Sequence, residues 1–169
     1  IDEAIAGHAT HVDVRMLADG GITVSDNGRG IPVDIHPKTG KSTLETVLTI
    51  LHAGGKFGGG GYKVSSGLHG VGISVVNALS NKLVAEVRLN GNIYRQSFAK
   101  GVPTSEIEIV GKSTETGTTI SFWPDDTIFQ ATDFDYDWVV DYLRHQAYLT
   151  KGIKTYVFDE RTNNEYTFY

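Results

Sequence analysis

The chain has 169 residues, 40% hydrophobic and 21% charged, enough for one compact domain that buries about two-thirds of its unfolded surface. Fifteen basic residues against twenty acidic ones give a net charge of -5, which excludes a general phosphate-backbone clamp and leaves nucleic acid only a local patch or another part of a larger protein. The absence of cysteine excludes disulfide frameworks, thiolate zinc sites and cysteine nucleophiles and suits a cytoplasmic setting. The longest apolar stretches are far too short for a membrane span, so no membrane partner is expected.

The opening Ile1-Asp2-Glu3-Ala4-Ile5-Ala6-Gly7 reads as the last turn of a helix, with Gly7 where a left-handed cap belongs. Val12, Val14 and Met16, then Ile22 and Val24, alternate around Asp19-Gly20-Gly21 and predict a hairpin. Ser42 or Thr43 caps a predicted helix through Leu44, Val47, Leu48 and Leu51 to Ala53, stopped by Gly54. A second helix is expected over Gly70 to Leu79. Lys82 to Leu89, Ile93 to Ala99, Glu106 to Gly111 and Thr118 to Trp123 are alternating and β-branched, a run of antiparallel strands with Asn90-Gly91-Asn92 as the first turn. Asp135 to Thr150 places Trp138, Val139, Tyr142, Leu143, Gln146 and Leu149 at helical spacing before Gly152, and Ile153 to Asp159 and Glu165 to Tyr169 close as a hairpin. Helices beside a largely antiparallel sheet make an α+β fold with the helices stacked on one face.

Twenty glycines, about 12% against an average near 7%, fall mostly between Gly20 and Gly72, in three segments that carry the chemistry. After the second strand comes Asp26-Asn27-Gly28-Arg29-Gly30-Ile31-Pro32. A carboxylate followed by bare backbone can accept from the exocyclic amine of a flat heterocycle, and the same residues equally make a plain turn. Gly54-Gly55-Lys56-Phe57-Gly58-Gly59-Gly60-Gly61-Tyr62-Lys63 reads either as a lid whose lysines meet phosphate or as a solvated linker. Gly67-Leu68-His69-Gly70-Val71-Gly72 opens a helix, as an anion-binding start or a structural one. It lacks the Gly-Lys-Ser/Thr ending of a Walker loop and the preceding strand of a dinucleotide fingerprint. The histidines are spaced too irregularly for zinc.

An adenine-type acceptor, a closing segment and a phosphate-binding helix start, in that order within about fifty residues, resemble the GHKL ATPase superfamily. Within it, Asp26 to Pro32, Leu51-His52-Ala53-Gly54-Gly55-Lys56-Phe57, Gly67 to Gly72 and Val75-Val76-Asn77-Ala78-Leu79-Ser80 resemble the B subunits of bacterial type II DNA topoisomerases. The similarity continues through Tyr94-Arg95-Gln96, Gly101-Val102-Pro103, Thr116-Gly117-Thr118 and Phe122-Trp123-Pro124. The quadruple glycine lies nearer the gyrase branch than the topoisomerase IV branch.

The resemblance implies a two-layer sandwich, a mostly antiparallel mixed sheet covered on one face by helices, as a single ATP-binding domain over 1–169. It implies that Asp26 receives the adenine amine, with Thr118 sharing a water beside it, and that Gly28, Gly30, Ile31, Pro32 and Val47 line the base pocket. Arg29 lies at the mouth, paired with Glu3. Lys56, Tyr62 and the backbone of Gly67, Leu68, His69, Gly70, Val71 and Gly72 hold ribose and phosphates, while Arg95 either joins them or packs across strands. Leu89 departs from the family, which often carries a basic residue at that rim, and Arg88 is expected on the other face of its strand.

The family's catalytic glutamate and magnesium-binding asparagine would fall upstream of Ile1, so the chain is expected to be cut at both ends and to bind ATP-competitive inhibitors while hydrolysing almost no ATP. For the parent, the resemblance implies ATP and Mg2+ as cofactors, a topoisomerase A subunit and DNA as partners, and a homodimer formed through an N-terminal arm, with ATP driving supercoiling or decatenation. A nucleotide-gated module of the mismatch-repair kind is the alternative. Leu51 to Phe57 and the strands after Leu83 count against a histidine-kinase catalytic domain.

Overall fold

The computed structural model describes residues 6–50 and 72–169. Strict alternation makes β1 (His11–Met16), with Val12, Val14 and Met16 buried on one face. A turn closed by the Leu17 N–H to the Gly21 carbonyl at 2.8 Å returns the chain as β2 (Ile22–Asp26), Val14 opposite Val24.

The first helix, α1 (Thr43–Thr49), starts where the cap residue predicts: the Ser42 side chain accepts from the Glu45 N–H at 3.1 Å. Ser42→Ala is expected to cost about 1 kcal/mol, read as a lower denaturation midpoint at unchanged slope. The helix is shorter than the expected run to Ala53, because Ile50 is already extended (φ -115°, ψ 129°). The Thr46 and Thr49 hydroxyls donate back to the Ser42 and Glu45 carbonyls at 3.0 and 2.6 Å, competing with the helical ladder, and the β-branched pair Thr49-Ile50 favours extended backbone. The expected stop at Gly54 lies outside the described residues.

The next described helix, α2 (Gly72–Ala78), buries Ser74 and Asn77, and Asn77 Nδ2 donates to the Leu48 carbonyl at 2.8 Å, tying α2 to α1. The strands β3 (Ser80–Leu89), β4 (Asn92–Ala99), β6 (Glu108–Lys112) and β7 (Gly117–Pro124) follow as expected, with a two-residue β5 (Val102–Pro103) too short for any pattern to show. The helix α3 (Tyr136–Leu149) is capped by Asp135, whose carboxylate accepts from the Asp137 and Trp138 N–H groups. The hairpin of β8 (Lys154–Asp159) and β9 (Asn164–Phe168) closes the chain.

These strands form one sheet in the order β5-β4-β3-β7-β2-β1-β8-β9, with β6 also on β4. Among the described residues every ladder is antiparallel except β1 on β8. The apolar sheet face carries two clusters. One joins Val12, Val14, Met16, Val139, Val140 and Val157; the other joins Leu44, Leu48, Leu83, Ala85, Val87 and Phe98; Phe122 packs against both. This is the expected α+β arrangement of helices over a mixed, mostly antiparallel sheet.

Of the residues at helical spacing on α3, Val139 and Leu143 turn to the core together with Val140 and Ala147, whereas Trp138, Tyr142 and Leu149 are 66%, 50% and 76% exposed. Trp138 and Tyr142 share a stripe four residues apart and stack on each other outside, with ring centroids 5.5 Å apart. The opposite sheet face is polar: the hydroxyls of Thr23 and Ser121 meet at 2.8 Å and those of Ser25 and Thr119 at 2.7 Å.

Candidate functional site

The strand β2 delivers Asp26 to the end of the sheet, half-buried, at the start of the loop that resembles a base pocket. Its Oδ1 accepts from the Gly28 N–H at 2.9 Å and from the Thr118 N–H at 3.3 Å. The first bond is a local Asx turn; the second comes from β7, across the sheet. The turn and the acceptor left open by the sequence are therefore one object, a turn whose carboxylate is oriented by two backbone donors. A carboxylate accepts through both oxygens, so these donors set its plane for a further partner.

Two threonines of the β7 entry hold the loop. The Thr118 hydroxyl accepts from the Ile31 N–H at 3.1 Å, and the Thr116 hydroxyl donates to the Gly28 carbonyl at 2.6 Å. Asn27 secures the other side: its Oδ1 accepts from the N–H groups of Thr10 and His11, each at 2.9 Å, and its Nδ2 donates to the Thr10 hydroxyl at 2.8 Å. The roles of Asn27 and Thr116 were not legible in the sequence, since each depends on a neighbour brought in by the sheet.

Two glycines are required by close approach. Gly30 has φ +84°, and a Cβ there would lie 2.9 Å from the Arg88 carbonyl and 3.1 Å from Val87 Cγ1. At Gly117 a Cβ would overlap the Asp26 carbonyl oxygen and the Arg88 guanidinium. Gly117→Ala is therefore expected to destabilise the protein by about 2 kcal/mol through overpacking and to displace Asp26. A thermal melt with a ligand titration checks this, and a stable variant with full affinity would refute it.

The structure thus brings Asp26, Gly28, Gly30, Ile31 and Thr118 together. Ile31 packs against the cluster of Leu44, Leu48 and Val87, beside half-buried Pro32. Val47 is 4% exposed on α1, and Arg29 is exposed. Gly72 is the exposed first residue of α2. Glu3, Lys56, Tyr62, Gly67, Leu68, His69, Gly70 and Val71 lie outside the described residues, so the expected Glu3–Arg29 pair and the phosphate-binding segment are not placed.

Arg95 pairs with Glu86 directly across β3 and β4, its Nε 2.7 Å from Oε1, which is the cross-strand alternative. Leu89 packs with the second apolar cluster, and Arg88 projects from the opposite face as expected, Nη2 donating to the Asp26 carbonyl at 2.8 Å and Nη1 to the Thr119 hydroxyl at 3.0 Å. Gln96, 1% exposed, was missed as a link: its Nε2 donates to Glu45 Oε1 at 2.9 Å and to the Ser105 carbonyl at 3.2 Å, joining β4 to α1.

A mainly apolar cavity of about 210 Å³ lies elsewhere, between Val76, Leu79, Phe122, Phe129 and Phe134, with Ser80, Thr132 and Asp133 also in its lining. Among the described residues no group of three or more His, Asp or Glu side chains is placed to hold a metal ion, and no helix is long and apolar enough to cross a membrane.

A family model described as histidine kinase-, DNA gyrase B-, and HSP90-like ATPase matches residues 1–128. The chain is 56% identical over 169 residues to the DNA gyrase B protein of Campylobacter jejuni, covering 100% of this chain and 22% of that protein. It is 55% identical over 163 residues to the DNA gyrase B protein of Micrococcus luteus, covering 95% of this chain and 22% of that protein. The chain thus spans about a quarter of the length of the curated relatives it matches. Among solved structures, the ATPase domain of Thermus thermophilus gyrase B in complex with an aminocoumarin matches with a TM-score of 0.86 and 41% identity, over 99% of this chain and 42% of that one. With more than half of its length matched by the family model and the same fold in a solved member, the chain belongs to the histidine kinase-, DNA gyrase B-, and HSP90-like ATPase family.

Proposed function

We propose that residues 1–169 form a single ATP-binding domain of a DNA gyrase B protein, and that the whole protein uses ATP binding and hydrolysis to drive DNA strand passage. The observation that carries this reading is the Asp26 carboxylate, oriented by the Gly28 and Thr118 N–H groups at 2.9 and 3.3 Å in a chain so similar to gyrase B proteins throughout. In this reading Asp26 accepts from the adenine amine, because an ionised carboxylate makes the stronger, charge-assisted bond to an N–H donor. Gly30 lets the purine lie flat against bare backbone. Ile31, Pro32 and Val47 form apolar walls, Thr118 steadies Ile31 and shares a water with the base, and Arg29 closes the mouth with Glu3. Lys56, Tyr62 and Gly67 to Gly72 supply cations and N–H groups to ribose and phosphates.

Mg2+ accompanies the triphosphate in this proposal and neutralises phosphate charge when bound. The proposed partners are a topoisomerase A subunit, DNA and a second copy of the whole protein in a cytoplasmic enzyme. Inhibitors that imitate adenine's donor and acceptor edge would compete at Asp26; the Thermus thermophilus relative was solved with an aminocoumarin.

The test is the full-length protein assembled with its A subunit. ATP-dependent negative supercoiling is the expected result. Decatenation without supercoiling would move the protein to the topoisomerase IV branch. Nucleotide binding with neither activity would leave a nucleotide-gated module and overturn strand passage.

A further inference from the structure

The polar face of the sheet, on the far side from the apolar clusters, touches the proposed adenine site at one point. Arg88 leaves β3 on that face and ends at the back of Asp26, Nη2 donating to the Asp26 main-chain carbonyl at 2.8 Å. Its Nη1 donates at 3.0 Å to the Thr119 hydroxyl, which meets the Ser25 hydroxyl at 2.7 Å. Ser25 is the chain neighbour of Asp26 and is paired with Thr119 in the β2–β7 ladder. One planar cation therefore grips the end of β2 and its partner strand together, and both prongs of the guanidinium have an acceptor. The approach depends on Gly117, where any side chain would overlap both the carbonyl and the guanidinium.

We infer that Arg88 is a positioning residue for adenine recognition: by holding the Asp26 carbonyl from behind the sheet, it fixes the aim of the Asp26 carboxylate at the ligand's exocyclic amine. The carbonyl and carboxylate belong to one residue at a strand end. Beyond Asp26 the chain leaves the sheet; Asp26 is still paired with Val12 of β1, but pairing with β7 stops at Ser25, so on the β7 side the ladder does not hold the last peptide. Arg88 replaces the missing ladder bond with a charge-assisted one. The Gly28 and Thr118 N–H groups orient the carboxylate at Oδ1, at 2.9 and 3.3 Å, while Arg88 holds the main-chain carbonyl of the same residue. The inference rests on the adenine reading of Asp26.

The test compares two nucleotides on the full-length protein by calorimetry: a non-hydrolysable ATP analogue, and the triphosphate of purine riboside, which lacks the 6-amino group. Arg88→Met removes every donor while keeping an apolar stem. Its expected effect is about a fivefold loss of affinity for the ATP analogue, the scale of one ordinary hydrogen bond, with the amine-free nucleotide unchanged, so that selectivity for the amine falls by the same factor. Arg88→Lys reaches only one of the two acceptors and should retain part of the selectivity; it serves alone if Arg88→Met does not fold. Equal losses for both nucleotides would show a merely structural role and overturn the inference, as would undiminished selectivity in the variants. Asp26→Asn separates the two levels: unchanged affinity for both nucleotides in that variant would remove the adenine site itself, whatever Arg88 does.

Discussion

Replacing Asp26 by Asn is expected to lower the affinity of the full-length protein for an adenine nucleotide by roughly 10- to 150-fold, about 1.5–3 kcal/mol. The asparagine oxygen can still accept from the Gly28 and Thr118 N–H groups that now hold Oδ1, so the loop keeps its shape. What changes is the group facing the ligand: an amide NH₂ meets an amine, two donors are opposed, and the charge-assisted bond is gone. Folding and binding should therefore separate, with a denaturation midpoint close to wild type beside a large calorimetric loss. Equal affinity in the two proteins would leave Asp26 with its turn alone.

The second large effect concerns stability. Asp159 is 1% exposed at the end of β8 and accepts from Arg161 Nε at 2.9 Å, Arg161 Nη2 at 3.0 Å and the Arg161 N–H at 2.9 Å. Arg161 Nη2 also donates to the Phe134 carbonyl at 2.7 Å, so the pair ties the β8–β9 turn to the chain just before α3. Asp159→Ala strands the guanidinium and is expected to cost about 3 kcal/mol, toward the low end for breaking a buried pair because Arg161 is partly exposed. The hydrogen bonds of Arg161 hold the Asp159 carboxyl below its usual range, against the opposing pull of burial. The Thr127 hydroxyl and N–H do the same for Asp125. A carboxyl with a depressed folded pKa adds stability that is present above its unfolded value of about 3.9 and lost as pH falls through the folded value. Stability should thus be nearly level from these groups between about pH 5 and 8 and fall below about pH 4. Asp159→Ala should lie below wild type at neutral pH and fall less steeply in acid, so denaturation curves at pH 6 and pH 3 check both parts. A variant with the wild-type acid slope would show that the pair does not carry the pH dependence.

Much of this protein is local, and local features are legible in a sequence. The alternation of Val12, Val14 and Met16, the Ser42 cap and the Asn90-Gly91 turn each depend on residues within a few positions, so strand, helix start and hairpin follow from spacing alone. The order of the three glycine-rich segments was likewise sufficient to point to the family. Tertiary structure decided the rest, because the deciding partners are distant in the chain. Helix α1 ends at Thr49, where Ile50 turns extended, and the Thr46 and Thr49 hydroxyls bond back to the Ser42 and Glu45 carbonyls within it. The face of α3 was set by the sheet beneath it: period alone admits several stripes, and Val140 and Ala147 joined Val139 and Leu143 at the core while Trp138 and Tyr142 stack outside. The parallel pairing of β1 with β8 joins segments more than a hundred residues apart. At the site, Asp26 was visible as a carboxylate at a strand end, but only the fold brings the Thr118 N–H to its carboxylate beside that of Gly28, and the Arg88 guanidinium to its carbonyl. A residue type states which bonds a side chain can make, and only the folded sheet brings the 88 and 118 positions to residue 26 and determines which bonds form.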